Sequence, residues 1–182
     1  MNAEPKKPPR NATLTKARIL AGAHDVFARS GYAQAGLRRI AAEAGVTSAL
    51  LVRYFGTKAA LFEAALIWTL ERDSVFVPDK AGFGVAMATL VRERSSIDIT
   101  AMMVLALADP EARPIATRVA RERMIEPLAL WLGGADALDR AMNMFGLLTG
   151  FAVQSQGIVA SDTSARSLDW LARTLQSIVD DR

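Results

Sequence analysis

The 182-residue chain has no cysteine and a single histidine, His24. Without thiols it can form no disulfide, zinc ribbon, iron–sulfur cluster or cysteine nucleophile. One imidazole cannot build a multi-histidine metal centre, and a serine triad would have to use His24 alone. No metal or cofactor is therefore expected, and a thiol-free chain suits the cytoplasm. Long apolar runs are missing too. The longest uncharged stretch runs from Ala141 to Ser161, 21 residues, which would span a bilayer if it were apolar. It carries Asn143, Thr149, Gln154, Ser155, Gln156 and Ser161, so it reads as a buried helix and not as a membrane span. The N-terminus has Lys6, Lys7, Arg10 and three prolines with no apolar run behind them, which is no secretory signal. Residues 1–12 read as a disordered basic arm.

Charge is divided unevenly along the chain. Residues 1–60 hold ten Lys/Arg against three acids, net +7, and residues 61–182 hold twelve against sixteen, net −4. A basic head on an acidic body is what a polyanion-binding module joined to a different functional unit would show. Accidental clustering on a solvated surface would give the same count, so charge alone leaves both readings open.

Sustained alternation of period two is absent, whereas apolar residues recur at helical spacing almost throughout, so the expected fold is all-α. A first helix over 13–30 places Ile19, Leu20, Ala23, Val26 and Phe27 on one face, with Gly31 just past its end. His24 falls beside that stripe as a packed or solvated residue. Short helices follow over 37–44 and 48–54, separated by a turn at Gly45 and capped at Thr47; Thr57 caps a fourth over 58–73. The pattern lapses into a loop over 77–84 and resumes in helices over 83–95, 97–108, 110–132, 135–158 and 163–180. Asp109-Pro110 opens the third of these, Pro127 should kink or split it, and Gly133-Gly134 ends it.

Two short helices joined through Ala44-Gly45-Val46 and packed on a longer first helix form a helix-turn-helix, whose second helix can enter a major groove. Arg18-Ile19-Leu20, Ala23, Phe27, Gly31-Tyr32, Arg38, Ile40-Ala41, Ala44-Gly45-Val46, Tyr54-Phe55, Lys58 and Leu61 resemble the N-terminal signature of the TetR family of transcriptional regulators, without a gap over residues 16–66. The rest is similar to the family's helical regulatory domain in layout, with Ala108-Asp109-Pro110-Glu111-Ala112-Arg113 like one of its C-terminal types. The resemblance implies a helix-turn-helix domain over 13–57 and a helical regulatory, ligand-binding and dimerisation domain over 58–182.

Carried over residue by residue, Thr47 starts the recognition helix, and Ser48, Ala49, Leu50, Val52, Arg53 and Tyr54 face the groove. Arg38 reaches a base or phosphate from the preceding helix, and Lys58 holds a phosphate with the backbone amides beside it. Two positions depart from the family pattern: Gly36 stands where a hydroxyl residue usually opens the second helix, and Val52 where a tyrosine is usual. Both remove phosphate contacts and throw more weight on Arg53, Arg38 and the arm. The run Ala49-Leu50-Leu51-Val52 offers contact to thymine methyls and few hydrogen bonds.

The expected partners are double-stranded DNA carrying an inverted-repeat operator, a second copy of the chain, and an unidentified small-molecule effector; no membrane is expected. Met87, Met102, Met103, Trp131, Met144 and Phe145 could line an apolar effector pocket, although such residues at helical spacing are more often plain core. The helix over 135–158 has two apolar faces, Leu138, Met142, Phe145 and Ala152 on one and Met144, Leu147, Phe151 and Ile158 on the other. Gly146 and Gly150 lie one turn apart, and Leu168, Leu171, Leu175 and Ile178 recur near heptad spacing in the last helix. These positions fit the dimer interface that the family builds from its last two helices. Two other classes compete. A small helical enzyme would use an acid pair such as Glu122 and Glu126, more simply a solvated face among Arg118, Arg121 and Arg123. A helical scaffold would bind a protein partner and no DNA.

Overall fold

A computed structural model describes residues 10–72, 79–93, 97–155 and 163–181. The arm residues Lys6 and Lys7, together with Asp73 and Ile158, lie outside these, as does the side chain of Arg10. Every regular element among the described residues is helical. The head consists of α1 (Arg10–Gln34), α2 (Leu37–Glu43), α3 (Ser48–Phe55) and α4 (Lys58–Arg72). The body follows with α5 (Phe83–Arg92), α6 (Ile97–Ala106), α7 (Ala112–Ala120), α8 (Glu126–Leu132), α9 (Ala137–Val153) and α10 (Ala165–Asp180). The described residues contain no helix long and apolar enough to cross a membrane.

The short elements end where the sequence says they should. Regular α1 geometry breaks at Gly31, whose φ of 68° lies in the left-handed region. Gly45, with φ 62°, makes the turn between α2 and α3. Thr47 Oγ1 accepts from the Leu50 N–H at 3.2 Å, and Thr57 Oγ1 accepts from the Ala60 N–H at 3.0 Å, each satisfying a helix-start donor. The expected helix over 110–132 is in fact two helices joined by a π-helical segment, Arg121–Ile125. Pro127 has no N–H to offer the Arg123 carbonyl, and the Glu126 N–H reaches back five residues to the Arg121 carbonyl instead. Asp109 caps as expected, its Oδ1 accepting from the Glu111 N–H at 2.9 Å and the Ala112 N–H at 3.0 Å, but helix begins only at Ala112.

Burial divides the molecule into two cores, and the division does not fall between residues 57 and 58. The first joins Ile19, Val26 and Phe27 of α1, Ile40 of α2, Leu51 of α3 and Leu61, Phe62 and Leu66 of α4 to Met102 of α6 and Ala116 and Val119 of α7. Two body helices thus complete the core of the head. The second gathers Phe83, Met87 and Val91 of α5, Leu132 of α8, Ala141 and Met144 of α9, and Leu171, Leu175 and Val179 of α10. Here α5 and α10 lie so close that a Cβ on Gly84 would sit 2.1 Å from the Ala172 carbonyl oxygen.

Buried polar groups tie these layers together. Arg140 of α9, only 6% exposed, donates to the Gly133 carbonyl at the end of α8 and to the Ile178 and Asp181 carbonyls at the end of α10. Its Nε lies 3.1 Å from Asp136 Oδ1. His24 is a packed residue: its ring meets Trp68 of α4 edge-on at 6.0 Å, with Nδ1 3.0 Å from Asp25 and Nε2 3.5 Å from Asp98 of α6. Among the described residues no group of three His, Asp or Glu side chains could hold a metal ion.

Candidate nucleic-acid interface

Leu51 anchors α3 by burying completely in the first core, which forces the opposite face of this two-turn helix outward. Ala49, Val52 and Arg53 occupy that face and are exposed, Val52 at 45%. Ser48, Leu50 and Tyr54 are half-buried at its margins, and the exposed Thr47 spends its hydroxyl on the cap. Arg38 projects into solvent from α2. Neither Arg38 nor Arg53 has a hydrogen-bond or ion-pair partner among the described residues, so both guanidiniums are available to an incoming acceptor.

The other basic residues of the head are not equally available. Arg18 donates through Nη2 to the Ala44 and Gly45 carbonyls at 2.9 and 3.1 Å, closing the C-terminal end of α2 where the helix dipole favours a cation. Arg29 pairs with Glu43 at 3.3 Å, and Arg39 donates to Ser30 Oγ at 3.0 Å. A charge count cannot separate these structural arginines from the presenting ones, because their acceptors lie on other turns of chain.

Lys58 opens α4 and is half-buried. Its ammonium stands 4.3 Å over the ring of Tyr32 and donates to the Ala33 carbonyl at 3.4 Å. Sequence reasoning missed what holds that ring. Tyr32 packs between Phe27 and Phe62, with centroids 6.0 and 5.2 Å away. Its hydroxyl donates to Glu111 Oε2 at 2.6 Å, across 79 residues of sequence. Burial, then the hydrogen bond and charge of Glu111, with Asp109 nearby, push the phenol well above the ordinary tyrosine range, so it remains a donor. No local pattern could announce a pair so far apart; the only cue is that both residues fall within the motif stretches.

The residues expected to line an effector pocket fall in two places. Met102 and Met103 belong to the first core and Phe145 packs against it, whereas Met87 and Met144 belong to the second and Trp131 packs against that. A groove of about 660 Å³ on the outside of α7 and the π segment is lined by Arg113, Pro114, Thr117, Arg118, Arg121, Glu122 and Glu126, none of those six. Glu122 and Glu126 are paired on the surface with Arg118 at 3.7 Å and Arg121 at 2.8 Å, as a solvated face would be.

The candidate dimer positions also divide. Leu138 and Met142 are exposed at 47% and 54%, and a Cβ on Gly146 or Gly150 would meet nothing within 4 Å, so this face of α9 is open in the protomer. Leu168 and Ile178 are half-buried. Leu171 and Leu175 correct the expectation: both are fully buried against their own chain, turned toward α5, and neither can reach a partner. The middle of the near-heptad stripe of α10 faces inward because α5 packs along it, and only its ends, Leu168 and Ile178, stay part-exposed.

A short helix held outward on a four-helix head, with two unengaged arginines and an anchored lysine at the next helix start, has the layout of a helix-turn-helix DNA-binding module. Residues 19–65 match the bacterial regulatory proteins of the tetR family, and residues 79–179 match the tetracyclin repressor-like C-terminal domain. The chain belongs to the TetR family. It is 46% identical over 57 residues to an HTH-type transcriptional repressor of Streptomyces coelicolor, a match spanning 31% of this chain and 30% of that relative. A TetR-family transcriptional regulator from Rhodococcus sp. shares the fold at a TM-score of 0.71 and 15% identity, covering 92% of this chain and 99% of the other. The multidrug binding protein EbrR, complexed with proflavin, superposes at 0.61 and 21% identity, covering 90% and 99%. At these identities the likeness is one of fold.

Proposed function

We propose that the protein is a homodimeric repressor that binds an inverted-repeat operator and is released from it by a small apolar or amphipathic molecule. The observation that carries the DNA reading is the outward face of α3, where Ala49, Val52 and Arg53 are exposed while Leu51 is locked in the core. Arg53 reads a base edge, Ala49, Leu50 and Val52 contact thymine methyls, Ser48 and Tyr54 flank them, and Arg38, Thr47 and Lys58 meet the backbone. The segment 13–57 reads DNA, 58–182 responds and dimerises, and the arm 1–12 adds phosphate contacts. Such a protein works at the chromosome, in the cytoplasm.

Two copies meet through α9 and α10, with Leu138, Met142, Gly146 and Gly150 at the contact and Leu168 and Ile178 at its edge. The effector sits where the two cores adjoin. Met144 and Phe145 are neighbours on α9, yet one packs in the second core and the other against the first, so a molecule lodged among Met87, Met102, Met103, Trp131, Met144 and Phe145 would shift one core against the other. EbrR, a multidrug binding protein that shares the fold, is complexed with proflavin, a planar amphipathic dye, which supports an amphipathic effector. The alternative of a helical scaffold without DNA binding has no observation in its favour.

Selection of bound sequences from a random duplex pool tests the reading directly, with an inverted repeat as the expected product. Against that operator, Arg53→Ala should cost roughly 1–3 kcal/mol and relax preference at one base of each half-site. Equal losses on cognate and random duplexes would remove Arg53 from base reading.

A further inference from the structure

Lys58 is an unusual phosphate ligand in being held before any DNA arrives. A free lysine samples many rotamers, and fixing it on a phosphate costs that freedom. Here the ammonium already rests 4.3 Å over the Tyr32 ring, with the Ala33 carbonyl 3.4 Å away. The ring is itself fixed, by Phe27 and Phe62 on its sides and by Glu111 at its hydroxyl. Glu111 belongs to the turn that opens α7, where its own N–H is bound to Asp109. A phenol donating to a carboxylate also carries more electron density in its ring, which strengthens the hold of the ring face on a cation.

We propose that Tyr32 is a positioning residue for DNA binding: it presents Lys58 to the DNA backbone and takes its own placement from Glu111 at the foot of α7, so the state of the regulatory body sets the strength of a phosphate contact. The inference rests on Lys58 being such a contact. Because Lys58 reads no base, displacing the α6–α7 turn weakens binding to all sequences alike and leaves the operator preference unchanged. The coupling needs no reorientation of α3.

The test uses the full-length protein and a duplex selected by the wild type from a random pool, over a range of salt concentrations. Tyr32→Phe removes one oxygen and no charge, and Glu111→Asp keeps the charge but shortens the reach; thermal midpoint and helical signal confirm that each is folded. Each leaves the ring in place and loosens only its anchor, so each should weaken binding by about twofold, the lower end of what a whole exposed cation–π contact is worth, with base preference intact. Lys58→Ala should lower the slope of log affinity against log salt by about one per half-site. In the Lys58→Ala background, Tyr32→Phe should have no further effect on affinity. If its effect persists there while Lys58→Ala alone weakens binding, Tyr32 acts by other means and the proposal fails with the phosphate contact intact. If Lys58→Ala alone changes neither affinity nor slope, the phosphate contact itself fails and the proposal with it.

Discussion

Arg140 carries a full charge at 6% exposure, and its stability depends on the carbonyls that surround it. Removing the guanidinium would leave the Gly133, Ile178 and Asp181 carbonyls without their donor while freeing only the exposed carboxylate of Asp136. Orphaned groups of this kind cost about 1–3 kcal/mol each when fully buried. These are partly wet, so Arg140→Leu should destabilise by about 2–3 kcal/mol in total, read as a lower urea midpoint. Tyr32 makes a different prediction, in pH. Its phenol titrates well above the unperturbed value of 10.0 in the folded protein, so between the two values only the unfolded chain loses the proton. The unfolded state then binds fewer protons than the folded one, and stability falls as pH rises above about 10. Below that the phenol is neutral in both states and contributes no slope. Tyr32→Phe should lose less stability than the wild type between about pH 9 and about pH 11, measured by urea midpoints; parallel declines would contradict the assignment.

Helix–helix distance is set at some positions by one atom. A glycine inside a helix usually costs about 1 kcal/mol relative to alanine, so Gly84→Ala would ordinarily stabilise α5. The added Cβ would stand 2.1 Å from the Ala172 carbonyl oxygen and 3.0 Å from Gln176 Cβ, contacts that only separation of α5 from α10 can relieve. Overpacking of about 1–3 kcal/mol outweighs the propensity gain, and the expected result is a lower thermal midpoint. What the sequence could reveal of these elements followed the range of the interaction. The starts of α3 and α4 were readable because Thr47 and Thr57 bond to amides three residues on, and the break at Gly31 because glycine alone adopts that φ freely. Pro127 announced an interruption but not its form, since a kink and a π segment both follow from one missing N–H. The outward residues of α3 came from the family resemblance, because the run Ala49-Leu50-Leu51-Val52 is apolar throughout and shows no period of its own. The inward turn of Leu171 and Leu175 was not, because an apolar stripe on an amphipathic helix looks the same whether its own chain or a partner covers it.

At the scale of the molecule, that distinction gives a prediction about assembly. Met142→Glu together with Leu138→Glu places charge on a face open in the protomer, and the variant should sediment as a folded monomer with weakened operator binding. Leu171→Glu with Leu175→Glu buries two unpaired carboxylates in the second core and should abolish folding instead. A folded dimer in the first variant would move the interface away from α9. The sharing of the first core has a consequence for biosynthesis. A ribosome delivers α1 to α4 first, but the apolar surface of the head is closed by residues that come later, among them Met102, Met103, Ala116 and Val119 from α6 and α7. The head therefore emerges with its hydrophobic side uncovered and stays so until α7 has followed it out, a stretch of synthesis in which that surface is open to aggregation.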